Sequence, residues 1–127
     1  MGKLGIFDDE KKQWLQFDED TEVLIKLITK EGLRKIMQKA TKRSKLTGED
    51  IADISDALLG REAVLGWRKI EDHNHPGLIV SGQPLPFTPE NINMLMKKSI
   101  AFSRFVNDAC VDETAFLKED EETKNAL

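Results

Sequence analysis

The spacing of hydrophobic positions changes several times along the chain, and each change marks an element. Trp14-Leu15-Gln16-Phe17 and Val23-Leu24-Ile25-Lys26-Leu27-Ile28 are β-prone runs separated by the polar Asp18-Glu19-Asp20-Thr21. That arrangement predicts a hairpin in which Val23, Ile25 and Leu27 share an apolar face and Lys26 points the other way. A lone hairpin is marginally stable, so it must lean on helices. Thr29 offers a helix cap with Glu31 near the positive end, and Leu33, Ile36, Met37 and Ala40 follow at helical spacing. Gly32 weakens the first turn by about 1 kcal/mol relative to Ala without overturning the period. Thr47 is the expected cap of a second helix, whose apolar face runs from Ile51, Ile54 and Leu58 through Leu65. Gly60 is a candidate bend in it, and Trp67 closes the segment.

Residues 70–87 lose all periodicity and read as a long irregular connection. Pro76 and Gly77 mark a turn, while Pro84 and Pro86 resist both helix and central strand. Leu78-Ile79-Val80 predicts a short strand, answered by 85–87 across Ser81-Gly82. Loops of this length inside a compact domain are functional or packed as a unit. Thr88-Pro89-Glu90 then combines a hydroxyl cap, a first-turn proline and a first-turn acid. Ile92, Leu95 and Met96 form the inward stripe of that helix, and Phe102, Phe105, Val106 and Ala109 form another. The pattern leaves open whether Lys98-Ser99 breaks one helix into two. The expected fold is mainly α, with four or so helices, a small N-terminal hairpin and the loop at 70–87. One domain at 11–117 is flanked by a flexible arm at 1–10 and an acidic, frayed tail at 118–127.

Composition narrows the function more than the fold. A chain of 127 residues is one ordinary domain. Its 19 basic and 23 acidic residues give a net charge of −4, which disfavours a protein whose whole body coats nucleic acid. No apolar run reaches the roughly 18 residues needed to span a bilayer. The first ten residues lack a secretory h-region, and Ile6 stands where a myristoylation signal needs Ser or Thr. The single Cys110 fits a reducing compartment. A soluble intracellular protein is expected.

Candidate chemistry is sparse. His73-Asn74-His75, preceded by Glu71 and Asp72, could offer two imidazoles and a carboxylate to a metal ion. The chain has no further histidine and no cysteine pair, so a solvated polar turn is the stronger reading and no metal is expected. Cys110 sits beside an apolar helical stripe, where a thiol behaves as a small hydrophobe. With no phosphate-cradling glycine loop and no paired carboxylates, neither a cofactor nor an enzymatic activity is expected. The segment 30–45 stands apart: Lys30, Arg34, Lys35, Lys39, Lys42, Arg43 and Lys45 face one acid, Glu31. Lys35, Lys39 and Lys42 lie opposite the apolar stripe, a cationic face open to nucleic acid, an acidic partner or the chain's own acidic tail. No aromatics interleave with these charges, which weighs against single-strand stacking.

From Leu58 onward the chain resembles the tail assembly chaperones of long-tailed bacteriophages. The resemblance rests on Ala63-Val64-Leu65-Gly66-Trp67-Arg68-Lys69-Ile70, a polar turn ending in Gly77, and Gly82-Gln83-Pro84-Leu85-Pro86-Phe87-Thr88-Pro89-Glu90-Asn91. Phe102-Ser103-Arg104-Phe105-Val106, the opening Trp14-Leu15-Gln16-Phe17-Asp18 and the acidic ending with Lys124-Asn125 extend it. His73-Asn74-His75-Pro76 departs from the acidic-glycine turn more usual there. The resemblance implies a protein of the bacterial host cytoplasm, absent from the mature virion, that binds the tape-measure protein and helps recruit tail-tube subunits. It also implies a longer frameshifted form, with which Thr123-Lys124-Asn125 is compatible. Candidate partner-binding residues are Met37, Trp67, Phe87, Met94, Met96, Phe102 and Phe105. A free groove could also be covered by homo-oligomerisation. The alternative function is a small phage-encoded nucleic-acid-binding or regulatory protein using the basic face of Arg34, Lys35, Lys39, Lys42 and Arg43.

Overall fold

The computed structural model describes residues 11–116; the arm at 1–10 and the tail at 118–127 lie outside the described residues. The predicted hairpin forms as β1 (Lys12–Gln16) and β2 (Thr21–Lys26), with Leu15 opposite Val23 and Gln13 opposite Ile25. Asp18 closes the turn, its carboxylate accepting the amides of Asp20 and Thr21 at 2.9 and 2.8 Å. Val23, Ile25 and Leu27 are buried and Lys26 faces outward, as the alternation requires.

α1 (Lys30–Thr47) begins at Thr29, whose hydroxyl accepts the Gly32 amide at 3.0 Å. Ile36 and Ala40 are buried against the body, while Met37 is 47% exposed. The α1 stripe is therefore narrower than its period suggested, because α1 packs mainly on one neighbour, α2 (Ile51–Ala63). Gly48, at φ +76°, ends α1 and its amide donates to Ser44 O. The cap of α2 is Asp50 and not Thr47: Asp50 Oδ1 accepts the Ala52 and Asp53 amides, while Thr47 completes α1 by donating to Arg43 O.

A strand follows where helix was expected. α2 stops at Ala63, and β3 (Val64–Lys69) pairs antiparallel with β2, giving a three-stranded sheet in the order β1-β2-β3. The fold is thus mixed helix and sheet, not mainly α. The reason is tertiary: β2 had an unpaired edge, and only an extended 64–69 both fills it and buries Val64 and Trp67 on the core side. The register slips between Leu24 and Ile25, leaving Leu65 as the extra, exposed residue of a bulge. Leu65 therefore does not continue the apolar face of α2.

The 70–87 connection is packed, not loose. Lys69 and Ile70 donate to His75 O and Asp20 O at 2.7 and 2.8 Å. Gly77, at φ +82°, lies so close that a Cβ there would stand 2.7 Å from Thr21 Oγ1. β4 (Ile79–Val80) and β5 (Gln83–Pro84) form a small hairpin whose turn, Ser81-Gly82, has positive φ at both residues. The returning strand is 83–84 and not the expected 85–87, although Leu85 N still donates to Leu78 O at 2.9 Å.

Thr88 caps α3 (Pro89–Lys98), accepting the Asn91 amide at 3.1 Å, and α3 ends where α4 (Ile100–Ala109) begins. Ser99 settles the open question of one helix or two. Its amide donates to Leu95 O, closing α3, and its hydroxyl accepts the Phe102 amide, opening α4. A last helical turn at 113–116 seats Phe116 in the core. One hydrophobic cluster joins the sheet, α2, α3 and α4. α3 approaches α2 at Gly60, where a Cβ would stand 2.5 Å from Met96 Cγ; the expected bend is instead a close helix–helix contact.

Candidate functional site

Side chains far apart in sequence assemble into one aromatic ladder under the β4–β5 hairpin. Trp67 of β3 meets Phe87 edge-to-face at 4.9 Å and Phe102 at 5.9 Å. Phe17, after β1, meets Phe102 at 5.7 Å and Phe105 at 5.2 Å. These T-shaped pairs fit the quadrupoles of the rings, each adding about 0.5–1.5 kcal/mol beyond area burial. Trp67 Nε1 donates to Leu85 O at 2.8 Å, so the indole also pins the Pro-Leu-Pro segment. On the opposite face of the sheet, one residue along β3, Arg68 bonds Glu22 at 2.5 Å and lies over the Trp14 ring at 3.8 Å.

Above this ladder runs an apolar groove of about 290 Å³. Its walls are Leu78, Ile79 and Val80 on one side and Met94, Leu95 and Ser99 on the other, with Phe17 and Phe102 at its base and Lys98 at its edge. Ile79 is 54% and Val80 37% exposed, so this hairpin offers its apolar side chains to solvent. A larger depression of about 420 Å³ between α2 and α3 is lined by Glu49, Asp50, Asp53 and Asp56 together with Arg43 and Lys97. Among the described residues no group of three His, Cys, Asp or Glu side chains is placed to hold a metal ion.

The predicted partner-binding residues divide by burial. Trp67, Met96 and Phe102 are buried core that fills space between sheet and helices, although Phe102 floors the groove and Met96 borders the α2–α3 depression. Met94 and Phe105 are partly buried, and only Met94 lines the groove. Phe87 is 40% exposed beside Trp67, whereas Met37 lies apart on α1. The residues the sequence reading missed are Ile79 and Val80. Their signal was an apolar pair beside a Ser-Gly turn, but nothing in the pattern said which side they would face.

His73 and His75 do not converge. His75 Nδ1 accepts the Gly77 amide at 2.9 Å, which commits that nitrogen to the turn, and the mostly exposed His73 has Nε2 3.8 Å from Glu22 Oε1. Asp72 accepts the Asn74 amide at 3.1 Å, an Asx turn. Burial pushes the Cys110 thiol up to about 11, with the Asp108 carboxylate adding to it, so its nucleophilic form is suppressed near neutral pH. On α1, Arg34, Lys35, Lys39, Lys42 and Arg43 are all exposed. Arg34 pairs with Glu31 and Arg43 with Glu49; the Arg34 guanidinium lowers the Glu31 carboxyl below its usual range, chiefly by hydrogen bonding.

No helix among the described residues is long and apolar enough to cross a membrane. Neither a protein-family model nor any curated protein or solved structure matches the chain.

Proposed function

We propose that the protein is a phage tail assembly chaperone, which binds the tape-measure protein and helps recruit tail-tube subunits in the host cytoplasm, and is absent from the finished virion. The observation that carries this reading is the exposed groove of Ile79, Val80 and Met94. Phe102, which lines it, packs on Trp67 of the Gly-Trp segment, and the Trp67 indole holds Leu85 of Pro-Leu-Pro-Phe-Thr, the segments on which the family resemblance rests. A tape-measure protein is a long amphipathic helix whose apolar face needs cover before the tube polymerises. A groove walled by aliphatic side chains and a flexible methionine takes such a face in varied registers.

Co-expression with the long helical product encoded just downstream tests it. The wild-type chain should keep that product soluble and co-purify with it, and Ile79→Asp with Val80→Asp should abolish both while leaving the chain folded. Unchanged solubility and no co-purification with the wild type would end the proposal. A second reading, a nucleic-acid-binding or regulatory protein, draws on the exposed cations of α1. The net charge of −4 and the lack of aromatics on that face make it the weaker of the two.

A further inference from the structure

We infer that the basic outer face of α1 is the docking site for the chain's own acidic stretch at 119–122, made of Glu119, Asp120, Glu121 and Glu122. This inference is independent of the groove and of the proposal built on it. Its first support is charge complementarity. The α1 segment carries seven cations and one acid, and five of the cations (Lys30, Lys35, Lys39, Lys42 and Lys45) form no ion pair within the described residues. Lysines three and four apart on one helix repel by a few tenths of a kcal/mol per pair, a penalty that a facing run of carboxylates removes. The stretch 119–122 holds four consecutive acids.

The second support is where the described chain ends. Ile28 N, two residues before α1, donates to Cys110 O at 2.8 Å, which fixes the end of α4 beside the start of α1. Ala115 O accepts from Gln13 Nε2 at 3.5 Å, and Phe116 is fully buried, so the chain leaves the body close to that corner. Residues 119–122 follow Phe116 by three to six positions, a reach of about 10–20 Å at roughly 3.3 Å per residue. Lys35 and Lys39 lie about 7 and 13 Å along α1 from Lys30 at 1.5 Å per residue. Both line a small cleft together with Ile28 and Gly32, and its one acid, Glu62, is already paired with Lys26. Length and charge therefore point the acids at Lys35 and Lys39. A tail held there screens the face from nucleic acid and other polyanions.

The test compares the full chain with a variant carrying E119Q, D120N, E121Q and E122Q. At low salt the backbone amide resonances of residues 33–42 should differ between the two, and molar salt should erase the difference. A heparin oligosaccharide at low salt should bind the variant about tenfold more tightly than the wild type, because the competing carboxylates are gone. Reversing charge at the cleft (K35E with K39E) should abolish the amide difference, and adding E119K with E121K should restore it. Identical α1 resonances in wild type and variant, or equal heparin affinity, overturns the inference. So does an amide difference that grows with protein concentration, which would put the tail on a second copy.

Discussion

Two regions of this molecule use the same helical chemistry to opposite ends. α3 and α4 turn Ile92, Leu95, Met96, Phe102 and Val106 into a common core with the sheet, and their stability comes from packing. α1 buries only Ile36 and Ala40 in eighteen residues and spends the rest of its surface on charge. The contrast separates what holds the fold from what is free to be recognised. In the packed region, recognition is left to side chains outside the core, among them Ile79, Val80 and Met94 at the groove. In α1 almost any surface residue can change without cost to the fold.

The sharpest way to break the contrast is Trp67→Ala. It removes two edge-to-face contacts and the bond to Leu85 O, and should cost about 3–5 kcal/mol in urea unfolding. Gly60→Ala comes next. The new methyl meets Met96 Cγ and Ile92 Cγ2, so overpacking of about 1–3 kcal/mol is expected, and M96A in the same chain should return part of it.

Of similar size is the pH response of Cys110. Its folded value of about 11 lies above the ordinary 9.0, so the folded chain keeps a proton that the unfolded chain has lost between those values. This contribution is therefore complete below pH 9 and drains away as pH rises toward 11; Cys110→Ala should flatten that alkaline slope in unfolding curves. At the bottom of the scale, Lys42→Gln or Lys39→Gln on α1 should shift stability by no more than about 0.5 kcal/mol. A loss above 1 kcal/mol there would show that α1's outer face is structural after all, and would erase the distinction between the regions.

The same division explains what could be read from the sequence. Local signals were sufficient wherever the deciding interaction was local. Asp18 at the hairpin turn, Thr29 and Thr88 as caps, Pro89 in the first turn and the alternation of Val23, Ile25 and Leu27 all formed as the pattern predicted. Failures fell where a distant partner decided. Val64 to Lys69 obeys helical spacing as well as strand spacing, and only the open edge of β2, some forty residues earlier in the chain, selects the strand. Thr47 was the expected cap of α2, but Gly48 in the left-handed region ends α1 after Thr47 and leaves Asp50 to cap α2. The groove was least legible. Its walls come from the loop hairpin and from α3, and a stripe of Met and Phe does not reveal which members the core will take. Trp67, Met96 and Phe102 were taken, and Ile79 was left outside.

Ser99 deserves a final consequence, because one residue terminates α3 and starts α4. Such a shared joint works as an elbow: its angle sets the spacing between Met94 and Phe102, and with it the width of the groove mouth. Exchanging Ser99 for a strong helix former would favour a single straight rod, splaying the cleft while leaving every other side chain that lines it unchanged in identity. A change in groove width in that variant would trace the geometry of this face to the cap that one hydroxyl makes between two helices.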